Sequence, residues 1–146
     1  MAVPTSAELA DRSRYPHWAR DTLRFSDTDK LGHINNLAIA AYCETGRAHF
    51  LSDLIGPDLR PAQGVFVLAR FAIDYRAELH WPGTVEIGSA VATLGRSSLN
   101  IVQAVFEDGR CVATAENVMV LIDVATRKSL PLPDALRAAL EPLGLR

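Results

Sequence analysis

The residues best suited to chemistry are concentrated in one short segment. It reads Asp27-Thr-Asp29-Lys-Leu-Gly32-His33-Ile-Asn35-Asn36 and holds two carboxylates, one histidine and two asparagines. An ionised carboxylate can attack a carbonyl carbon, or it can deprotonate a water molecule that attacks instead. The same residue types also cap turns and the starts of helices. Composition alone therefore leaves two interpretations of this segment, one catalytic and one purely structural.

A long helix is predicted directly after this segment, over Asn36–Leu54. Apolar residues recur at helical steps of three, four or seven, and these are Ile34, Leu37, Ala41, Ala48, Leu51 and Ile55. Asn35 or Asn36 can cap the start of the helix, and Gly56-Pro57 ends it. The free N–H groups and the positive dipole end of a helix start stabilise developing negative charge. The helix would therefore favour carbonyl chemistry at the adjacent segment.

The first half of this helix, Leu37–Cys43, carries no charge. A helix that is apolar all round is normally buried all round, so we expect it to be central. After Gly64 the apolar period changes to two, which predicts four strands, the last over Cys111–Val124. The Asp-Gly pair within Glu107–Arg110 predicts a tight hairpin before that last strand.

Two further elements complete the predicted fold. A strand pattern over Arg20–Ser26 precedes the helix, and a short amphipathic helix is predicted over Pro131–Leu143. The order is strand, long helix and four strands, which is typical of the α+β class. One antiparallel sheet wrapped around one long central helix satisfies both patterns. We expect an N-terminal lead-in over residues 1–19, one domain over 20–130 and a C-terminal tail helix over 131–146.

Composition excludes several classes of protein. The 146 residues carry a net charge of −2, and 49% of them are hydrophobic, which argues against nucleic-acid binding and against global disorder. No apolar run approaches the roughly 18 residues that a membrane span needs. No basic stretch precedes an apolar run at the N-terminus, so a secretory signal is not predicted. We expect a cytoplasmic protein that contacts no membrane.

Sequence motifs of several common chemistries are missing. The chain has no GxSxG, Walker, HExxH or GxGxxG pattern, each of which has its own mechanism. Its two cysteines, Cys43 and Cys111, and its four histidines show no metal-ligand spacing. The absence of metal-ligand spacing predicts reduced cysteines and no metal site.

A longer pattern resembles a known family. Phe25-Ser-Asp-Thr-Asp29-x-x-Gly32-His33-Ile-Asn35-Asn36, followed by Tyr42-x-Glu44-x-x-Arg47, is similar to the hotdog-fold acyl-CoA thioesterases of the 4-hydroxybenzoyl-CoA thioesterase type. The resemblance covers residues 20–125. It implies a hotdog fold and the hydrolysis of an acyl-CoA or acyl-carrier thioester to a free carboxylic acid and a thiol. Carboxylate chemistry of this kind implies no cofactor.

The resemblance implies roles for individual residues of the segment. The second acidic position of the motif is the catalytic one, which here is Asp29, as nucleophile or general base on the thioester carbonyl. Gly32 permits a close turn. His33 would bind or polarise the thioester region, or serve only as a structural hydrogen-bonding group. Asp27 would orient the loop, and Asn36 would anchor the loop or touch substrate.

Other positions are implied to bind substrate or to compete for the catalytic role. Another branch of hotdog thioesterases places its acid in the central helix, which makes Glu44 a rival to Asp29. The alternative for Glu44 is a helical ion pair with Arg47. Arg96-Ser97-Ser98 matches a turn that often meets coenzyme A, and arginine suits phosphate; the alternative is a solvated hairpin turn. Backbone N–H groups at Gly64-Val65 would contribute to the carbonyl site.

The chain departs from the family pattern at one position. Family members often carry an aromatic residue three positions after the paired asparagines, where this chain has Ile39. An aliphatic residue there favours a fatty or otherwise aliphatic acyl group. Unpaired outer strands of the predicted sheet would pair with another chain. The resemblance accordingly implies a homodimer or homotetramer with active sites between subunits.

Two other functions remain open at this point. A hotdog enoyl-CoA hydratase pairs an Asp and a His five apart, whereas Asp29 and His33 are four apart and the Asn-Pro-x-His pattern of that enzyme is absent. A non-catalytic hotdog protein would bind acyl-CoA or acyl-carrier protein without turnover. The presence of Asp29 in an otherwise intact motif argues against this second alternative.

Overall fold

The structure is a computed structural model, and it describes residues 3–61 and 63–146. Within these residues, three α-helices and five strands are joined by short loops and 3-10 turns. In chain order they are α1 (Ser6–Leu9), β1 (His17–Thr22), α2 (Asn36–Ile55), β2 (Val65–Tyr75), β3 (Thr84–Leu94), β4 (Ser98–Glu107), β5 (Arg110–Ile122) and α3 (Asp134–Leu140). The α+β class and the order of strand, long helix and four strands are confirmed.

The five strands form a single antiparallel sheet in the order β1-β3-β4-β5-β2. Strand β2 is therefore at one edge and β1 is at the other. The β4–β5 connection is the predicted hairpin, because Asp108 and Gly109 adopt φ angles of 49° and 79°. Positive φ at both central residues is what a type I′ turn requires. Consecutive strands β3, β4 and β5 are thus neighbours, and β2 closes on β5 from the far side.

Helix α2 lies on one face of the sheet, against β1, β3 and β4. Its start is capped as predicted, since the Asn35 side chain accepts a hydrogen bond from the N–H of Leu37 at 2.7 Å. Gly56 ends the helix with a φ of 101°, a conformation that favours glycine. Gly46 sets how closely the helix approaches the sheet. A Cβ atom there would lie 2.4 Å from Cγ2 of Ile87, so only glycine fits without displacement.

The buried face of α2 differs from the predicted apolar stripe. Its buried residues are Ile39, Tyr42, Cys43, Gly46, Arg47, Phe50 and Leu51. Leu37 of the predicted stripe is 77% exposed, and Ala41 is exposed as well. The expectation that the first half of the helix is buried on every side is wrong within one chain. The physical reason is that the sheet covers one face of the helix only, and the choice of face depends on the fit to the sheet.

The chain ends pack on the same sheet. Leu9 and Tyr15, before β1, cover the face opposite α2 together with Phe106. Strand β1 lies earlier than the predicted Arg20–Ser26, because the residues after Thr22 leave the sheet. The tail forms the shorter helix α3, whose Leu136 and Leu140 pack beside the end of α2. Among the described residues, none of the helices has the length and apolar content of a membrane span.

Candidate functional site

The loop before α2 is organised by the Asp29 carboxylate. Its Oδ1 atom accepts hydrogen bonds from the N–H groups of Leu31 at 2.9 Å and His33 at 3.3 Å. Gly32 allows the close turn with a φ of 84°, a region in which other residues are strained. Among the described residues, no side chain or N–H group bonds to the Oδ2 atom of Asp29. One oxygen of this half-buried carboxylate thus holds the loop, and the other is left available for chemistry.

Asp27 ties the same loop to the core. Its Oδ2 atom accepts a hydrogen bond from the Tyr42 hydroxyl at 2.6 Å and another from the N–H of Arg24 at 3.0 Å. Burial and then the hydrogen bond to Asp27 raise the pKa of Tyr42 well above its usual value. The hydroxyl therefore remains a donor at neutral pH. Tyr42 is 1% exposed, so the position of the loop follows that of the helix.

A second segment, the connection between β2 and β3, lies against this loop. The N–H of Ile34 donates to the carbonyl of Leu79 at 2.7 Å. Beside this bond, the Glu78 Oε2 atom lies 3.3 Å from Nε2 of His33 and 3.5 Å from Nε2 of His80. Nδ1 of His80 is 3.2 Å from the carbonyl oxygen of Gly32. The three side chains meet although His33 is far from the other two in sequence.

An open cleft of about 350 Å³ lies between the start of α2 and the end of β2. Its lining includes His33, Asn36, Ile39, Tyr75 and Glu78. The Tyr75 hydroxyl donates a hydrogen bond to the carbonyl of Asn36 at 2.9 Å, and this bond joins the two walls. Ile39 lies at the floor and is 2% exposed. The cleft therefore has a polar rim with an apolar base.

The remaining predicted binding residues lie at the opposite end of the sheet. Arg96-Ser97-Ser98 forms the β3–β4 turn, and Ser98 pairs with Val120 of β5. Val67 of β2 pairs with the same Val120, so Gly64-Val65 is at this end as well. Strand β3 connects the two ends and spans about 33 Å at the usual rise per residue. Within one chain, the structure does not bring these two groups of predicted residues together.

Glu44 is separate from both groups. It lies on the exposed side of α2, and its Oε2 atom is 3.8 Å from an Arg47 guanidinium nitrogen. Arg47 itself is buried, and it donates a hydrogen bond to Oδ1 of Asn117 at 2.7 Å. Asn117 in turn donates to Gln103 at 2.9 Å. The ion pair considered as the alternative for Glu44 is therefore present, and it borders a buried polar network.

Several residues of the cleft were not identified from the sequence. Tyr75 and Glu78 line the cleft, and His80 contacts Gly32 beside it. Tyr42 is part of the sequence motif, but the motif gave no role to its contact with Asp27. The only local signal is the alternation of Glu78 and His80 around the buried Leu79. Their relation to the Asp29 loop depends on how the β2–β3 connection packs, which no spacing rule reveals.

Comparisons with known proteins agree with this architecture. Residues 23–140 match the family model of the thioesterase-like superfamily. No curated protein matches the chain. A thioesterase from Thermus thermophilus, complexed with coenzyme A and Zn, is 31% identical with a TM-score of 0.79, covering 88% of this chain and 94% of its own.

Two further solved structures are similar. A predicted thioesterase from Bacillus stearothermophilus is 28% identical with a TM-score of 0.79, covering 87% of this chain and 95% of its own. The probable thioesterase YbaW from Escherichia coli is 26% identical with a TM-score of 0.75, covering 86% of this chain and 97% of its own. The matched residues include the Asp29 loop, helix α2 and strands β2 to β5. The chain belongs to the thioesterase-like superfamily.

Proposed function

We propose that this protein hydrolyses an acyl-CoA or acyl-carrier thioester to a free carboxylic acid and a thiol, with Asp29 as the catalytic carboxylate. The observation that carries the proposal is the state of Asp29. One oxygen accepts two backbone hydrogen bonds, while the other has no donor among the described residues. A fixed but chemically free carboxylate in the loop that leads into a helix suits attack on a carbonyl. Membership of the thioesterase-like superfamily supports the same reaction.

Two routes use the Asp29 carboxylate. As general base, Asp29 takes a proton from water as the water oxygen bonds to the carbonyl carbon, and that proton reaches the thiolate when the C–S bond breaks. As nucleophile, it forms a mixed anhydride with release of the thiolate, and water then hydrolyses the anhydride. In both routes negative charge develops on the carbonyl oxygen. The start of α2 and the imidazole of His33, which line the cleft, would stabilise that charge.

We infer further that the sheet and α2 form a hotdog fold, which is completed in a homodimer or homotetramer. Strand β2 pairs only with β5 among the described strands, which leaves its other edge open. The exposed Leu37 and Ala41 lie on α2 on the side that the sheet leaves uncovered. Unpaired edges and uncovered apolar surface both favour association. A two-fold pairing of β2 strands would use both.

Such a pairing would also assemble the site. When two copies of β2 run antiparallel, the start of one strand meets the end of the other. Gly64-Val65 of one subunit would then approach the cleft beside Tyr75 of the other. The two groups of predicted residues, separated by about 33 Å in one chain, would thus contribute to sites between subunits. In those sites Asn36 would contact substrate or anchor the loop.

The substrate class is proposed from both ends of this site. Arg96 is exposed in its turn and carries the planar guanidinium that suits phosphate groups. The similar thioesterase from Thermus thermophilus is complexed with coenzyme A, which supports a coenzyme A thioester here. Ile39 gives the cleft an aliphatic base rather than an aromatic one. We therefore propose an aliphatic acyl group.

The test follows thiol release from a panel of short, long and aromatic acyl-CoA esters. Native protein is compared with Asp29→Asn, which keeps the shape of the side chain and removes its charge. Glu44→Gln is the matched control, because it makes the same chemical change on the exposed face of α2. We expect Asp29→Asn to lose orders of magnitude in turnover and Glu44→Gln to retain most of it.

Other results would overturn parts of this proposal. Loss of activity in Glu44→Gln with retention in Asp29→Asn would move the catalytic acid to α2. Consumption of an enoyl-CoA without thiol release would favour the hydratase alternative. Tight binding of acyl-CoA with no turnover would favour a non-catalytic binding protein.

A further inference from the structure

Two histidines and a glutamate converge at the rim of the cleft. His33 comes from the loop before α2, and Glu78 and His80 come from the connection between β2 and β3. One ligand atom from each of the three side chains lies within 4.8 Å of the ligand atoms of the other two. A hydrogen-bonded ion pair needs only one histidine beside the carboxylate. Here two histidines lie beside the same carboxylate oxygen, which is one more than an ion pair requires.

The distances fit a tetrahedral metal ion. Zinc binds imidazole nitrogen and carboxylate oxygen at about 2.0–2.2 Å, which places neighbouring ligands about 3.3–3.6 Å apart. The Glu78 Oε2 atom is 3.3 Å from Nε2 of His33 and 3.5 Å from Nε2 of His80. Both distances thus match the separation expected between two ligands of a tetrahedral zinc ion. Two histidines and one glutamate, with a fourth position open, are also a known zinc ligand set.

The orientation of His80 supports the same interpretation. Its Nδ1 atom lies 3.2 Å from the carbonyl oxygen of Gly32, and a carbonyl can only accept a hydrogen bond. With Nδ1 engaged by that carbonyl, Nε2 is the nitrogen of His80 that faces Glu78, at 3.5 Å from its Oε2 atom. A backbone carbonyl bonded to the second nitrogen is the usual arrangement of a metal-binding histidine. The rings of His33 and His80 are in edge-to-face contact, with centroids 5.3 Å apart and an interplanar angle of 81°.

We propose that His33, Glu78 and His80 bind a divalent transition-metal ion of the Zn²⁺ type. Glu78 and His80 side chains are 64% and 59% exposed, so an ion can enter from solvent and water can fill its fourth position. Nitrogen and oxygen ligands of this number favour zinc and its neighbours over magnesium or calcium. The ion would join the Asp29 loop to the β2–β3 connection. This proposal departs from the absence of a metal site expected from sequence spacing, and it does not depend on thioester hydrolysis.

The test is a calorimetric titration with ZnCl2 of full-length protein that has been dialysed against a chelator. We expect one ion per chain. His80→Ala and Glu78→Gln should each raise the dissociation constant for Zn²⁺ at least tenfold, since each removes one of three ligands. His49→Ala is the matched control, because His49 is exposed on α2 outside the cluster, and it should bind as the native protein does. Circular dichroism checks that each variant is folded.

A second measurement identifies the ligands independently. Cobalt(II) in a four-coordinate site absorbs visible light strongly, so Co²⁺ added to native protein should give an absorption that His80→Ala lacks. Native protein that takes up no stoichiometric Zn²⁺ would overturn the proposal. So would His80→Ala and Glu78→Gln variants that bind as tightly as native protein does. Because no substrate is present, these results stand apart from the outcome of the thiol-release assay.

Discussion

The hydroxyl of Tyr42 donates a 2.6 Å hydrogen bond to the carboxylate of Asp27, and this contact joins the buried face of α2 to the loop that carries Asp29. Tyr42 is fixed by the core, and Asp27 lies two residues before Asp29 in the loop before α2. The geometry of the candidate catalytic carboxylate is therefore set partly by a tyrosine in the second turn of the helix. Both stability and activity should respond when that contact is removed.

Replacement of Tyr42 by phenylalanine tests this relationship. Tyr42→Phe keeps the packed ring and removes a hydrogen bond to a charged group, so the free energy of unfolding should fall by about 1.5–3 kcal/mol. Thiol release should fall as well, because the Asp29 loop loses its anchor. Tyr75→Phe is the control, since its hydroxyl bonds to a neutral carbonyl and the residue is 42% exposed. Urea unfolding that ranks Tyr75→Phe as the more destabilised variant would contradict the assignment.

The close approach of α2 to the sheet predicts a steric effect at Gly46. Gly46→Ala would place a methyl group 2.4 Å from Cγ2 of the fully buried Ile87. Overpacking of this kind costs about 1–3 kcal/mol, against a helix-propensity gain of about 1 kcal/mol, so we expect net destabilisation. The double variant with Ile87→Ala should be less destabilised than the sum of the single changes. Simple additivity in urea unfolding would argue against the contact.

The buried guanidinium of Arg47 should contribute strongly to stability. Arg47→Met keeps much of the side-chain volume, but it leaves the buried Oδ1 of Asn117 without its 2.7 Å donor. An unsatisfied buried acceptor costs about 1–3 kcal/mol. Glu44→Gln, which weakens only the 3.8 Å ion pair at the surface, should change the free energy of unfolding by less than about 1 kcal/mol. Equal effects of the two substitutions would show that the buried network is not the stabilising element.

Cys43 predicts a loss of stability in alkaline solution. Burial raises the pKa of its thiol to about 12, and the charge of Arg47 opposes this by a smaller amount. An unfolded thiol has a pKa near 8.5. Between these values the folded state keeps a proton that the unfolded state loses, so the free energy of unfolding falls as pH rises. The contribution is complete below about pH 8.5, and the decline approaches 1.4 kcal/mol per pH unit.

The measurement is urea unfolding between about pH 8.5 and pH 10, the window that opens at the unfolded thiol's pKa. Cys43→Ala should show a shallower decline with pH than native protein does. Cys111→Ala serves as the comparison. Cys111 is only half-buried, and burial raises the pKa of its thiol by less than it raises that of Cys43. Parallel pH curves for native protein and Cys43→Ala would refute the linkage.

Sites between subunits predict complementation between two defective variants. Asp29→Asn and Arg96→Glu alter residues at opposite ends of the sheet in one chain. If each site takes one residue from each subunit, randomly mixed dimers should regain about a quarter of the native sites. The activity is measured after the two proteins have been unfolded together and refolded. If each site lay within one chain, every site would keep a defect and mixing would restore nothing.

Much of this protein can be predicted from local sequence. Three features follow from residues that act only on their near neighbours in the chain. They are the capping of α2 by Asn35, the end of α2 at Gly56 and the positive φ angles of Asp108 and Gly109. The crowding of Asp27 and Asp29 before a helix start is equally local. These features depend on backbone preferences and hydrogen bonds of short range, which is why composition and spacing suffice to identify them.

Tertiary structure decided which groups meet. The sheet selects the face of α2 that is buried, so Leu37 is exposed and Arg47 is not, against the simple apolar stripe. The packing of the β2–β3 connection on the Asp29 loop brings His80 to His33, and the length of β3 keeps Arg96 away from both. Contacts between residues distant in sequence depend on the path of the whole chain, because the free energy of packing is shared among elements and belongs to no single segment.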